Sequence, residues 1–101
     1  MKLKYKDNSI NVTITTNEKV MKYHFQKLYY AIIIKNCNYY RSIANKQKLD
    51  VIMTDDNLKI LSFKKEMHEN TFLHDKNSTT TILLPPKTFK DITKGQNFIL
   101  E

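Results

Sequence analysis

Gly95 is the only glycine in this chain of 101 residues. Tight turns elsewhere must be made by residues that tolerate left-handed backbone, chiefly Asn and Asp, whose side chains also cap their own backbone. Those residues then mark where the chain turns. Asp7-Asn8-Ser9, Asn36-Cys37-Asn38, Asp55-Asp56-Asn57 and Asp75-Lys76-Asn77 each interrupt an apolar pattern. Pro85-Pro86 adds a further break, because proline cannot donate to a sheet ladder.

The segments between these breaks have recognisable periods. Leu3 and Tyr5 alternate with Lys2, Lys4 and Lys6, and Ile10, Val12 and Ile14 alternate with Asn11, Thr13 and Thr15. This predicts a hairpin with an apolar face and a row of lysines on the other. Thr15 followed by Glu18 fits a capping box, and a helix is expected from about Glu18 to Lys35. Its apolar stripe is Met21, Phe25, Leu28 and Ile32, flanked by Val20, His24 and Ala31. Tyr23, Tyr30 and Ile34 make a second apolar face, a candidate surface for a protein partner. Tyr39 to Lys48 reads as a short helix or an ordered loop. Leu49–Thr54 with Leu58–Phe63, and Thr71–His74 with Thr79–Leu84, have the form of two more hairpins. After the prolines a short helix is expected, with Phe89 and Ile92 facing inward and Gly95 as its C-cap. Asn97–Leu100 makes a last strand. The expected fold is α+β: one domain over residues 1–101, a mostly antiparallel sheet with a long N-terminal helix and a short C-terminal helix packed on one face.

Residues 49–101 resemble a subdomain of the bacterial DNA sliding clamps. The resemblance rests on the strand pair running from Leu49 through Asp55-Asp56-Asn57 to Leu61, and on Thr81-Ile82-Leu83-Leu84-Pro85-Pro86-Lys87-Thr88-Phe89 continuing to Gly95 before the final strand. It implies a strand, a proline-started short helix and a strand in succession, and a setting in DNA replication. No binding residue is carried over, because the match is of pattern, and the N-terminal hairpin has no counterpart in it.

Charge is unevenly placed. Residues 1–48 hold ten Lys or Arg against two Asp or Glu, whereas residues 49–101 hold seven against eight. The net charge of +7 therefore sits in the N-terminal half, which favours polyanionic partners. Only Arg41 is arginine. The wealth of Lys, Asn, Ile and Tyr also fits an AT-rich, low-GC genome, such as that of a bacterium, its phage or a mobile element, so function and codon usage both account for the lysines. The candidate nucleic-acid-binding set is Lys2, Lys4, Lys6, Lys19, Lys22, Lys27, Tyr39, Tyr40, Arg41, Lys46 and Lys48. Lysine neutralises phosphates without regard to sequence, and tyrosine rings offer platforms on which unpaired bases stack. A single arginine leaves little means of reading guanine in the major groove.

Enzyme signatures are absent. One glycine cannot build a phosphate-binding loop or a dinucleotide fingerprint. There is no Gly-x-Ser-x-Gly, no Cys-x-x-Cys, and His68-Glu69 lacks a histidine at position 72. Glu66, His68, Glu69, His74 and Asp75 are the nearest approach to a metal or small-nuclease site, and Cys37 with His24 to a nucleophile and base. The favoured readings are a polar loop for the first group, and a buried small thiol and a packing histidine for the second. No cofactor and no catalytic residue are expected. The start of the chain lacks an apolar leader core, the longest apolar run spans residues 29–34, and the lone cysteine gives no disulfide. A cytoplasmic protein with no membrane partner is the expectation. The expected function is a non-catalytic nucleic-acid-associated accessory protein, with single-stranded DNA or RNA favoured and replication a possible setting. The alternative is a protein-interaction module or small subunit that modulates a larger enzyme.

Overall fold

The computed structural model describes residues 1–16, 19, 27–42 and 47–101. Nine strands form in chain order: β1 (Lys2–Tyr5), β2 (Asn8–Thr16), β3 (Ala31–Lys35), β4 (Tyr39–Arg41), β5 (Asp50–Thr54), β6 (Ile60–Lys64), β7 (Phe72–His74), β8 (Thr80–Leu84) and β9 (Ile99–Leu100). Seven of them make one sheet in the order β6-β5-β8-β3-β2-β1-β9, and β4 and β7 make a separate two-stranded ribbon. Every pairing is antiparallel except that of β2 with β3.

The sheet curls until its two ends meet. Phe98 N–H donates to Leu58 O at 3.0 Å, Ile60 N–H to Gln96 O at 2.8 Å and Gly95 N–H to Ile60 O at 2.9 Å. The chain entering β9 is thus stitched to the chain entering β6. Closure of this kind removes exposed sheet edges, which otherwise recruit foreign strands. The inside of the curl is one apolar cluster, drawing Leu3 and Tyr5 from β1, Ile33 from β3, Ile52 from β5, and Ile82 and Leu84 from β8. Phe89, Ile92 and Phe98 join it from the C-terminal segment. Tyr5, Phe89 and Phe98 stand in mutual tilted contact, with centroids 5.2–5.8 Å apart. The Tyr5 hydroxyl donates to Asp91 O at 2.7 Å, which satisfies the polar tip of a buried aromatic.

The expected α+β fold is overturned: no helix element lies among the described residues, and the architecture is a curled β-sheet. The long N-terminal helix fails first at residues 31–35, which are strand β3. Ala31-Ile32-Ile33-Ile34 is a run of mostly β-branched residues, stiff at χ1 and suited to a pleated surface. Paired with β2 on one side and β8 on the other, it is buried on both faces, and a strand in that position reads as a continuous apolar run. Leu28 of the expected stripe is also non-helical, and Met21 and Phe25, with the flanking Val20 and His24, lie outside the described residues. The short C-terminal helix is likewise replaced by turns. Phe89 and Ile92 do face inward, held by loop backbone with Lys87 and Asp91 at positive φ.

The hairpins fare unequally. β1 with β2 and β5 with β6 pair as the alternation predicts. At the second turn the Asp55 carboxylate accepts from Asn57 N–H at 2.9 Å and Lys59 N–H at 3.0 Å. The third hairpin does not form. Asp75 makes its turn, accepting from Asn77 N–H at 2.9 Å, but the flanking strands part there. β8 enters the sheet between β3 and β5, and β7 leaves it to pair with β4. Among the described residues no helix is long and apolar enough to cross a membrane.

Candidate nucleic-acid interface

The ribbon covers the outside of the curled sheet. A second apolar cluster forms between them from Ile32 and Ile34 of β3, Val51 and Met53 of β5, Leu83 of β8, and Tyr40 of β4, with Leu73 of β7 packed against it. Strand alternation turns the neighbours of Tyr40 and Leu73 the other way. Tyr39, Arg41, Phe72 and His74 therefore share the outward face, all exposed, with Tyr39 opposite His74 and Arg41 opposite Phe72.

On that face the Tyr39 and Phe72 rings stack with centroids 5.8 Å apart and planes inclined by 25°. His74 lies 6.3 Å from Tyr39. The Lys64 ammonium sits 5.9 Å from the Phe72 ring and donates to Phe72 O at 2.8 Å, so its charge is tethered beside the aromatic pair. Tyr39 is 47% and Phe72 56% exposed. Two large rings are thus kept in contact with water beside an arginine and a lysine, where burial of either would be worth about 2 kcal/mol.

The segment after β6 extends this face. Lys64, Lys65, Glu66, Met67, His68 and Thr71 line a cavity of about 330 Å³. Its walls are fixed by hydrogen bonds. Ser42 Oγ–H donates to His68 O, Met67 N–H donates to Leu49 O at 2.8 Å, and Glu66 N–H donates to the Asp50 carboxylate at 2.7 Å. Asp50 is buried at the start of β5. Burial pushes its carboxyl above the ordinary carboxylate range, partly offset by the backbone N–H groups of Glu66 and Lys87 and by the nearby charge of Lys65.

The structure distributes the sequence-derived candidates widely. Tyr39 and Arg41 lie on the outward ribbon face, whereas Tyr40 is buried beneath it. Lys2 and Lys4 project from the outside of β1, opposite Leu3 and Tyr5, and Lys6 occupies the β1–β2 turn, 5.4 Å from the Tyr5 ring. Lys19 and Lys48 are exposed. Lys27 is exposed too, 5.7 Å from the ring of Tyr29, which is 76% exposed. Lys22 and Lys46 lie outside the described residues, as does Tyr23. Ile34 is fully buried in β3 and Tyr30 is partly buried against the outer cluster. The helix face that would have joined these last three is not formed by residues 30–35. Phe72 and Lys64 were missed by sequence reasoning, and His74 was singled out only as a metal or nuclease candidate. The alternation of Phe72, Leu73 and His74 does signal a strand with two outward side chains, but nothing local says that the strand pairs with residues 39–41. Among the described residues no three His, Cys, Asp or Glu side chains are grouped to hold a metal ion.

No family model matches the chain, and no curated protein matches it. A solved structure does: a protein of unknown function from Novosphingobium aromaticivorans DSM 12444. It is 10% identical, with a TM-score of 0.77 over 98% of this chain and 82% of that one. At that identity the likeness shows a shared fold.

Proposed function

We propose that the chain is a non-catalytic, cytoplasmic nucleic-acid accessory protein that binds single strands on the outward face of the β4–β7 ribbon, with little sequence preference. The observation that carries this reading is the stacked, exposed Tyr39–Phe72 pair flanked by Arg41 and the tethered ammonium of Lys64. Unpaired bases have accessible π-faces that stack on such rings, and the phosphates between them are neutralised by the adjacent cations. A duplex keeps its bases stacked inside and offers the rings nothing comparable. The net charge of +7 supports the same polyanionic partner through longer-range attraction.

The test is fluorescence anisotropy of labelled single-stranded and duplex oligonucleotides at low and moderate salt. Single strands should bind more tightly than duplex, and binding should weaken steeply with salt. Each of Tyr39→Ala and Phe72→Ala should remove roughly 1–3 kcal/mol of single-strand affinity, about fivefold or more, because each deletes a stacking platform. Single-strand affinity unchanged in the double variant, with circular dichroism showing an intact sheet, would exclude the ribbon face.

A further inference from the structure

The cavity beside the ribbon has no part in base stacking as described above, yet it shares Lys64 with the stacking face. We infer that it receives the terminal phosphate of a nucleic-acid strand whose end base lies on Phe72, an inference that rests on the single-strand reading. Its volume of about 330 Å³ falls at the lower end of small-ligand sites, enough for a phosphate and part of its sugar. Two lysines and a histidine line it, with Glu66 the one lining carboxylate and the buried Asp50 carboxyl behind the wall. Lys64 donates one ammonium proton to Phe72 O and retains two further donors. Those donors sit at the junction between the Phe72 ring and the cavity. Lys65 and His68 supply the others, and Met67, buried in the outer cluster, supplies the apolar lining.

The backbone that carries these side chains is held in place by hydrogen bonds. Asp50 holds Glu66 N–H, Leu49 O holds Met67 N–H, and His68 O accepts from both Ser42 Oγ and Thr71 Oγ1. The backbone on either side of Lys65 and His68 is thereby fixed before any ligand arrives, which lowers the cost of binding. A terminal phosphomonoester carries more charge and more free oxygens than an internal diester, so it gains most from clustered donors.

Short single strands ending in a hydroxyl, a 5′-phosphate or a 3′-phosphate distinguish the possibilities by fluorescence anisotropy. One of the two phosphorylated ends should bind about tenfold tighter than the hydroxyl end, since charged hydrogen bonds contribute at that level. The arm that gains identifies the strand polarity. Lys65→Met with His68→Gln should abolish the gain, so that the variant binds phosphate-ended and hydroxyl-ended strands alike; both side chains are exposed, and the general loss from one missing charge falls on all three strands equally. Equal affinity for all three ends, or a gain that survives that double variant, overturns the phosphate site while leaving the stacking face standing. Loss of hydroxyl-end binding in Tyr39→Ala/Phe72→Ala belongs to the stacking face alone. Failure of every strand to bind the wild-type protein overturns both.

Discussion

Asp50 shows what one buried carboxylate does to stability. Its carboxyl titrates above the ordinary value of 3.8 in the folded chain because burial disfavours the charged form more than its backbone hydrogen bonds favour it. The folded state therefore holds this proton to higher pH than the unfolded state does. Below 3.8 the group is protonated in both states, and its contribution to stability is fully present. That contribution is lost as pH rises through the folded value. Urea unfolding of the wild type and of Asp50→Asn, between about pH 4 and about pH 7, should show the wild type losing stability relative to the variant as pH increases. A constant difference across that range would show that Asp50 titrates alike in both states. Nothing in the sequence singles out Asp50, because an aspartate at the edge of an apolar run reads as a boundary residue. Buried at the start of β5, it meets the backbone N–H groups of Glu66 and Lys87, both distant in sequence.

The ribbon is the element on which both the stacking face and the cavity depend. Two short strands alone are not stable in water, and this pair is anchored through Tyr40 and Leu73 to the outer cluster. Leu73→Ala should cost about 1–2 kcal/mol, less than a fully buried leucine because Leu73 is only partly covered. Hydrogen exchange should report the loss at the ribbon amides of Asn70 and Asp75, which bond to Ser42 O and Asn38 O, before it is seen in β3, β5 or β8. Uniform acceleration across the sheet would mean that ribbon and sheet open as one unit. At this scale the sequence was legible in part. The turns at Asp55 and Asp75 were visible as Asx chemistry, and the alternation of β1, β2 and β6 was plain. β3 was misread because Leu28 and Ile32, spaced as if on one helical stripe, do meet in one cluster, but by way of a strand entered from a loop.

For the whole molecule, closure of the sheet is the decisive event. Phe98 lies on the closing segment, 3% exposed, against Tyr5 of β1 and Phe89. Phe98→Ala should cost about 3–5 kcal/mol, the range for a buried aromatic. Such a loss would consume much of the stability of a domain this small. It should also expose the β6 and β9 edges and so promote concentration-dependent association, detectable by light scattering. A variant that is destabilised by less than about 1 kcal/mol and stays monodisperse would show that the seam closes without this ring.

Some properties follow from local chemistry. With one glycine, Asn and Asp mark several of the turns, although Lys6, Leu58, Glu66 and Lys87 also take positive φ, and the alternating segments of β1 and β2 made strands. The excess of lysine in the N-terminal half is written in the chain whatever it folds into. The pairing of distant strands is not local. β3 became a strand because β2 and β8 were there to satisfy its backbone on both sides. Phe72 came to lie against Tyr39 because β7 left the sheet to join β4. Partner choice between strands is settled by which arrangement buries both apolar faces at once and leaves no buried N–H or C=O unpaired. That choice is made only in the assembled molecule, so the stacking face and its cavity belong to the tertiary structure.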